Sequence, residues 1–191
     1  MSLEINDFVI MLEEKNGIKE NSVGLIKQLN DNEATVFFIS NQTEMKVRLD
    51  RISFLDVSKT GKPHQFKICN VCHVLKEDLV DFEINQTDAK GRKTTRPSCR
   101  DCRKQIDGVA LKGAEKKKLD AIRPQHFFIC PICEKGSIPG VTANLVRDHD
   151  HDTGKARDWL CDSCNTGLGR FKDNIEFIEK AISYLRKHSN Q

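Results

Sequence analysis

Two short stretches, Cys130-Pro131-Ile132-Cys133 and Cys161-Asp162-Ser163-Cys164, decide how the second half of this chain folds. Two cysteines separated by two residues on a tight turn can place both thiolates on one tetrahedral ion, and two such pairs complete a zinc site. The chain holds eight cysteines, all in such pairs, the others being Cys69/Cys72 and Cys99/Cys102. One pair alone is compatible with a redox motif. Four pairs in series predict two structural Zn²⁺ sites rather than a disulfide framework or a thioredoxin-like protein.

The four pairs also define an internal repeat. The gap between paired motifs is 26 residues in the first unit and 27 in the second, and in both a glycine and basic residues shortly precede the third cysteine. This regularity predicts two related zinc-bound βα modules, each of which closes its own four-cysteine site. Ligation interleaved between the two modules is the alternative that the spacing leaves open.

Residues 1–60 contain no cysteine and have a different pattern. Short segments rich in β-branched and aromatic residues are separated by polar turns; they are 23–27, 34–39, 45–49 and 52–55. This pattern predicts a small antiparallel β-barrel. It loosely resembles the SH3-like and Tudor-like barrels, a resemblance that covers about a third of the chain.

The predicted fold is therefore α+β, with an N-terminal barrel followed by two zinc-bound modules. The expected domains are the barrel at 1–60, the first module at 61–108, a charged helical linker at 109–126, and the second module with a C-terminal helix at 127–191. Asp173 is expected to N-cap this last helix. Its apolar face, predicted to pack in the core, comprises Ile175, Ile178, Ile182 and Leu185.

Charge favours a polyanion as the partner of the middle of the chain. Residues 87–126 hold twelve Lys or Arg and five Asp or Glu, whereas residues 1–60 hold seven and ten. A locally positive region on a chain of formal net charge +3 suits a nucleic-acid groove. No apolar run is long enough for a membrane span, and the first residues do not resemble a signal peptide. We expect a cytoplasmic protein, bacterial or phage-encoded, without a membrane partner.

The stretch from Arg147 to Asp152 places six ionisable groups in a row. Burying such a run without partners is costly, so it is either an exposed turn or a functional site. Downstream, Cys164-Asn165 begins a predicted helix, which brings an amide oxygen close to the carboxylate and imidazole of Asp148-His149. Oxygen ligands suit Mg²⁺, and an imidazole suits proton abstraction from water.

With these residues in place, the stretch 130–173 resembles the recombination endonuclease VII family, within the His-metal (ββα-metal, HNH-like) finger nucleases. The resemblance covers about a quarter of the chain. The matching residues are the two cysteine pairs, Asp148, His149, Asp150, His151, Thr153, Gly154, Arg157, Leu160, Asn165, Gly167, Gly169, Phe171 and Asp173.

The resemblance implies a role for four of these residues. His149 matches the general base, and Asp148 and Asn165 match the ligands of a single catalytic Mg²⁺ (or Mn²⁺). His151 matches a histidine that assists by holding the scissile phosphate or a water, whereas Asp150 carries over no clear role. The implied reaction is phosphodiester hydrolysis of double-stranded DNA that leaves 5′-phosphate and 3′-hydroxyl ends. One finger cuts one strand, so a double-strand break implies two copies, most simply a homodimer.

The first module lacks the catalytic pattern. Aligned back from Cys99, the Asp-His position falls near Gln86-Thr87, and the Asn165 position becomes Arg103. We therefore expect this copy to grip DNA, with a purely structural repeat as the alternative. The basic residues predicted to do so are Arg92, Lys93, Arg96, Arg100, Arg103 and Lys104.

The leading functional prediction is a site-specific double-strand endonuclease of the type II restriction kind, because the barrel and the basic module add recognition surface around one finger. A junction-resolving nuclease is the closest alternative, although only about eighteen residues follow Asp173 here, whereas the family's resolvases continue into a long helical arm. A homing-type nicking endonuclease and a non-catalytic zinc-ribbon nucleic-acid-binding protein are the others. The Asp148-His149 and Asn165 constellation distinguishes the enzymes from the last of these.

Overall fold

The structure is a computed structural model that describes residues 2–189. The chain divides into two compact units, one that ends at Lys104 and one that begins at Gln105. Both units combine short antiparallel hairpins or sheets with helices, so the predicted α+β class is confirmed. Among the described helices, none has the length and apolar character needed to cross a membrane.

The first unit opens with an antiparallel five-stranded sheet. Its strands are β1 (Phe8–Met11), β2 (Val23–Leu29), β3 (Glu33–Phe38), β4 (Thr43–Arg48) and β5 (Ile52–Phe54), in the order β4-β3-β2-β1-β5. One face covers an apolar core, because inward positions alternate along the strands. The residues buried there include Val9, Met11, Ile26, Val36 and Phe38.

The prediction of a closed β-barrel is wrong for this sheet. Closure requires the two edge strands to pair with each other. Here the edges are the consecutive strands β4 and β5, and the 3₁₀ turn Leu49–Arg51 between them directs the chain to the far edge. β5 pairs with β1 instead, where Val9 faces Phe54. The sheet is therefore open.

The rest of the first unit is a pair of hairpins with two helices. β6 (Phe66–Ile68) pairs with β7 (Leu75–Glu77), the short helix α1 (Asp78–Asp81) follows, and β8 (Phe82–Thr87) pairs with β9 (Lys93–Cys99). Helix α2 (Arg100–Asp107) begins immediately after Cys99, and the boundary between the two units falls within it. The small core consists of Phe82 together with the buried cysteines of this module.

The second unit also places two hairpins before a helix, but it has no helix between the two hairpins. Helix α3 (Gly113–Ala121) precedes the hairpin of β10 (Phe128–Ile129) and β11 (Gly136–Ser137). The longer hairpin of β12 (Leu145–His149) and β13 (Ala156–Cys161) then leads directly into α4 (Asp162–Arg170).

Helix α3 lies within the segment predicted as a linker, and it packs against β13. The buried Leu119 side chain joins the core of the second unit, and the Leu119 carbonyl accepts a 2.8 Å hydrogen bond from the Trp159 indole. On the opposite strand, Arg147 lies over the Trp159 ring and donates to Asp120 at 2.7 Å. These contacts fix the hairpin that carries the predicted site.

The C-terminal helix α5 (Ile175–His188) differs from expectation in two ways. Its N-cap is Asn174, whose side chain accepts from the Phe177 amide, rather than Asp173. Its apolar face does not pack in the core: Ile175 is 73% exposed and Leu185 is 63% exposed, and the helix has no buried residue. Helical periodicity identifies an apolar face but does not identify what covers it, so the prediction of core packing is wrong.

Candidate active site

The eight cysteines gather in two groups of four, Cys69, Cys72, Cys99 and Cys102 in the first unit and Cys130, Cys133, Cys161 and Cys164 in the second. Within each group the sulfur atoms all lie within 4.8 Å of one another. All eight are free thiols, and each module contributes its own four. This is the donor set of a closed structural zinc site.

Hydrogen bonds from backbone N–H groups stabilise the thiolate form of one cysteine in each group. Burial raises the pKa of the Cys130 thiol, but N–H donation from Cys133, Cys161 and Ile132 outweighs it and lowers that pKa to about 6. In the first group, burial is likewise outweighed by N–H donation to Cys69, chiefly from Cys99, and its pKa falls to about 7. Since the thiolate is the form that binds metal, both groups fit Zn²⁺.

The candidate site lies on the β12–β13 hairpin of the second unit. The strand register shifts between Arg147 and His149, so Asp148 lies at an irregularity that re-aims its side chain. Asp148 is only 7% exposed. Burial raises the pKa of its carboxyl group, and the Arg157 guanidinium, 3.1 Å away, opposes that rise.

His149 follows Asp148 on the same strand. Its Nε2 atom is buried and has no hydrogen-bond partner within residues 2–189. The His149 ring lies beside that of His151, with centroids 4.8 Å apart and planes tilted by 46°. Buried polar atoms are rarely unpaired in folded proteins, so this nitrogen is suited to a partner that arrives with the substrate. The structure thus brings Asp148 and the two histidines into one cluster.

Asn165 lies in the first turn of α4 and is half-buried. Helix α4 begins directly after Cys161 and packs against both β12 and β13. Two cysteines of the second group, Cys161 and Cys164, therefore lie where the hairpin continues into the helix, and this junction sets the position of Asn165 relative to the strand that carries Asp148. A carboxylate and an amide on these two elements offer the hard oxygen donors that Mg²⁺ prefers.

Asp150, to which the sequence assigned no role, organises the turn that follows the site. Its Oδ1 accepts hydrogen bonds from the amides of Asp152 at 3.0 Å and Thr153 at 2.7 Å, and from the Thr153 hydroxyl at 2.8 Å. These bonds, led by the Thr153 hydroxyl, lower the pKa of Asp150. Asp150 therefore stabilises the loop as a charged cap.

Arg157 and Asp173 contact the candidate site, although the sequence pattern assigns neither residue a role in it. Arg157 Nη2 donates to the His149 carbonyl at 2.6 Å and lies 3.3 Å from Asp173 Oδ2. The same Asp173 oxygen lies 3.4 Å from His151 Nδ1. Both residues were visible only as members of the family pattern, because their partners lie on other elements.

The loop that carries His151 is held by the segment that precedes α3. The Val109 amide donates to the His151 carbonyl at 2.7 Å. Gly108 has a φ of +58°, and a Cβ at this position would lie 2.3 Å from the His151 carbonyl oxygen. A side chain at residue 108 would therefore meet both a steric clash and an unfavourable backbone conformation.

We expect Gly108→Ala to destabilise the second unit by about 1–3 kcal/mol and to reduce cleavage, because the His151 backbone must shift. The measurement is chemical unfolding followed by circular dichroism. Gly113→Ala is the matched control, because its Cβ would meet nothing within 4 Å at the start of α3; this change should stabilise the helix by up to about 1 kcal/mol. Equal unfolding midpoints for Gly108→Ala and the wild type would contradict the prediction.

The corresponding hairpin of the first unit has no such cluster. Gln86 and Thr87 pair with Thr94 and Lys93 near the end of β8 and β9. Several of the basic residues predicted to contact DNA here have acidic neighbours: Arg92 pairs with Asp88 at 2.6 Å, and Arg96 and Arg100 lie 3.5 and 3.9 Å from Glu83. Lys93 lies on β9, while Arg103 and Lys104 lie on α2. Exposed ion pairs of this kind are weak and can exchange for phosphate contacts.

Comparisons with known proteins agree with this geometry. Residues 3–57 match the family model of the restriction endonuclease SH3 domain, residues 56–108 the His-Me finger endonuclease β4-α2 domain, and residues 101–187 recombination endonuclease VII. The chain also matches the solved structure of a ββα-Me type II restriction endonuclease over 97% of its own length and 100% of that chain, with 57% identity and a TM-score of 0.92. The chain therefore belongs to the ββα-Me (His-Me finger) endonucleases, and it is a metal-dependent nuclease of that class.

The solved structure that this chain matches is that of the restriction endonuclease Hpy99I. Two curated relatives are the gene 59 proteins of Mycobacterium phages D29 and L5, each 46% identical, over 59 and 57 residues. These matches cover 30% and 29% of this chain. They span only 34% of each phage protein, about a third of the length of either relative.

Proposed function

We propose that this chain is a site-specific endonuclease of the type II restriction kind, which cuts both strands of DNA with the finger of its second unit. The observation that carries the proposal is the buried, unpaired Nε2 of His149 beside the buried carboxylate of Asp148 on the β12–β13 hairpin. The likeness to Hpy99I along nearly the whole chain supports the restriction assignment over the alternatives. We place the reaction in the cytoplasm of a bacterium.

The proposed catalytic cofactor is one Mg²⁺ or Mn²⁺ ion. Asp148 and Asn165 would hold it, and their oxygen donors fit a hard cation. Burial of Asp148 also fits, since a carboxylate withdrawn from water gains more from a nearby cation than an exposed one. When bound, the cation offsets the negative charge that builds on the phosphate and the departing 3′ oxygen. Two structural Zn²⁺ ions in the cysteine groups complete the proposed metal content.

The protein's own residues supply the proton chemistry. His149 accepts a proton from a water molecule as that water attacks phosphorus in line with the leaving oxygen. His151, whose ring lies 4.8 Å from that of His149, holds the scissile phosphate or the attacking water. Because the bond between phosphorus and the 3′ oxygen is the one that breaks, the products carry 5′-phosphate and 3′-hydroxyl ends.

A double-strand cut requires two such fingers, because each offers one base and one pair of cation ligands. We therefore propose a homodimer with two-fold symmetry, which would present one finger to each strand of a symmetric site. Sedimentation equilibrium with and without DNA measures this directly, and a 1:1 complex of one chain with the cleaved duplex would exclude it.

We further propose that the cysteine module of the first unit, and not its N-terminal sheet, grips the DNA backbone. Arg100→Glu combined with Lys104→Glu on α2 should weaken DNA binding by about ten-fold or more and lower the slope of log affinity against log salt by about two. Lys27→Glu with Lys46→Glu on the N-terminal sheet has the same effect on net charge and is the matched control. Fluorescence anisotropy in EDTA provides the measurement, and an equal loss in both double variants would show that net charge alone matters.

The test of the proposed function is cleavage of a mixed-sequence plasmid with Mg²⁺ or Mn²⁺. Discrete linear fragments with one consensus at their ends, seen with metal and absent in EDTA, are the expected result. A smear would indicate a non-specific nuclease, and nicked circles alone would favour a homing-type nicking enzyme. Plasmid that stays intact while a four-way junction is cut would replace the restriction assignment with junction resolution.

A further inference from the structure

The loop between α4 and α5 has an unusual backbone. Lys172 and Asp173 are consecutive non-glycine residues in the left-handed region, with φ of +57° and +51°. This conformation costs about 1–2 kcal/mol per residue and persists where the surroundings impose it. Here two backbone hydrogen bonds impose it. The Lys172 amide donates to the Gly169 carbonyl at 3.0 Å, and the Asp173 amide donates to the Leu168 carbonyl at 3.0 Å. The strained turn places the Asp173 side chain against the catalytic hairpin.

Asp173 makes two contacts there with one oxygen. Its Oδ2 lies 3.4 Å from His151 Nδ1 and 3.3 Å from Arg157 Nη2, and its side chain is only 16% exposed. A carboxylate this close to a histidine ring nitrogen favours one orientation and one tautomer of that ring. The other nitrogen of His151 is then left as the one available to a substrate or a water.

Through Arg157 the same carboxylate reaches the proposed metal ligand. Arg157 lies between two carboxylates, with Nε 3.1 Å from Asp148 Oδ2 and Nη2 3.3 Å from Asp173 Oδ2. It also donates to the His149 carbonyl at 2.6 Å. Arg157 thus links the strand that carries the base with the loop after α4.

We propose that Asp173 is a positioning residue of the nuclease site, which orients His151 and shares the Arg157 guanidinium with Asp148. This inference rests on the proposed roles of His149 and Asp148. When Asp173 carries its charge, Arg157 is divided between two carboxylates, and Asp148 keeps enough negative potential to attract a cation. Without that charge, Arg157 pairs with Asp148 alone and opposes the cation, and His151 Nδ1 loses its negatively charged neighbour.

The test is Asp173→Asn, because asparagine has nearly the same shape and tolerates the left-handed conformation, so the loop is retained. We expect kcat to fall by roughly 10- to 100-fold, the usual effect of removing a residue that orients a site. KM, and DNA affinity measured in EDTA, should stay within about two-fold of wild type, as should zinc content. In the protein without DNA, Mn²⁺ affinity measured by electron paramagnetic resonance should fall by about three-fold or more, since Arg157 then pairs with Asp148 alone.

Lys172→Gly is the matched control for the backbone. It relieves the strain at the neighbouring position without altering the carboxylate, and its kcat should equal that of the wild type. Wild-type kcat and Mn²⁺ affinity in Asp173→Asn would overturn the proposal. His149→Ala, assayed in parallel, separates the two claims: if that variant also cleaves at the wild-type rate, the proposed function fails, whereas an inactive His149→Ala beside a fully active Asp173→Asn rejects the positioning role alone.

Discussion

The His149→Ala variant is expected to cleave DNA about 10²- to 10⁴-fold more slowly than the wild type in single-turnover experiments, the range typical for loss of a general base. The physical reason is that His149 has a buried ring nitrogen with no partner among residues 2–189, next to the buried carboxylate of Asp148. Alanine removes the proton acceptor but leaves the hairpin hydrogen bonds unchanged. DNA affinity in EDTA should therefore be retained.

His126→Ala is the matched control, because His126 is an exposed histidine of the same unit outside the cluster. Its cleavage rate should equal that of the wild type. If His149→Ala retained a rate within ten-fold of the wild type, as His126→Ala should, the assignment of the base would be wrong. The likeness to a restriction endonuclease would then still stand, but the catalytic residue would have to be sought elsewhere in the finger.

The second large effect is expected from Cys130→Ser, which removes a fully buried ligand from the second group of cysteines. Structural zinc binding contributes about 10–16 kcal/mol in small zinc domains, comparable to or larger than the total stability of a typical domain. The hairpin and α4 are joined at Cys161, so loss of the ion should unfold the second unit and abolish cleavage. Zinc content, measured by mass spectrometry, should fall from about two ions per chain to about one, because the other group keeps its own ligands.

Ser163→Ala is the control for this change, since Ser163 lies between Cys161 and Cys164 but offers no thiolate. It should keep both zinc ions and the unfolding transition of the wild type. Two zinc ions and intact hydrogen-exchange protection in Cys130→Ser would contradict a structural role for this group.

The parts of the fold that depend on local spacing could be predicted from the sequence. Paired cysteines at matched intervals indicated two modules, and the structure gathers the same two groups of four. The run from Arg147 to Asp152 could be predicted as an exposed turn or a functional site, because burying such charges without partners is costly. In each case the decisive information lies within a few residues along the chain.

Features that depend on distant neighbours could not be predicted. The strand pattern of residues 1–60 predicts an antiparallel sheet. It does not show that the sheet stays open, because closure depends on which strands pair at the edges. The apolar face of α5 had the period of a packed helix, yet the second unit's core is filled from elsewhere. The sequence pattern predicts Asp173 as a helix cap. Its αL conformation and its contact with Arg157 could not be predicted, because both depend on tertiary structure.

We propose that Asp148 and Asn165 hold one catalytic cation beside His149. The most direct measurement is anomalous diffraction at the manganese edge from crystals of the His149→Ala variant grown with uncut target DNA and Mn²⁺. We expect one Mn²⁺ peak per chain at about 2.0–2.3 Å from both an Asp148 carboxylate oxygen and the Asn165 amide oxygen, within contact of a phosphate. A peak bound elsewhere, or DNA bound with no Mn²⁺ at these two residues, would contradict it.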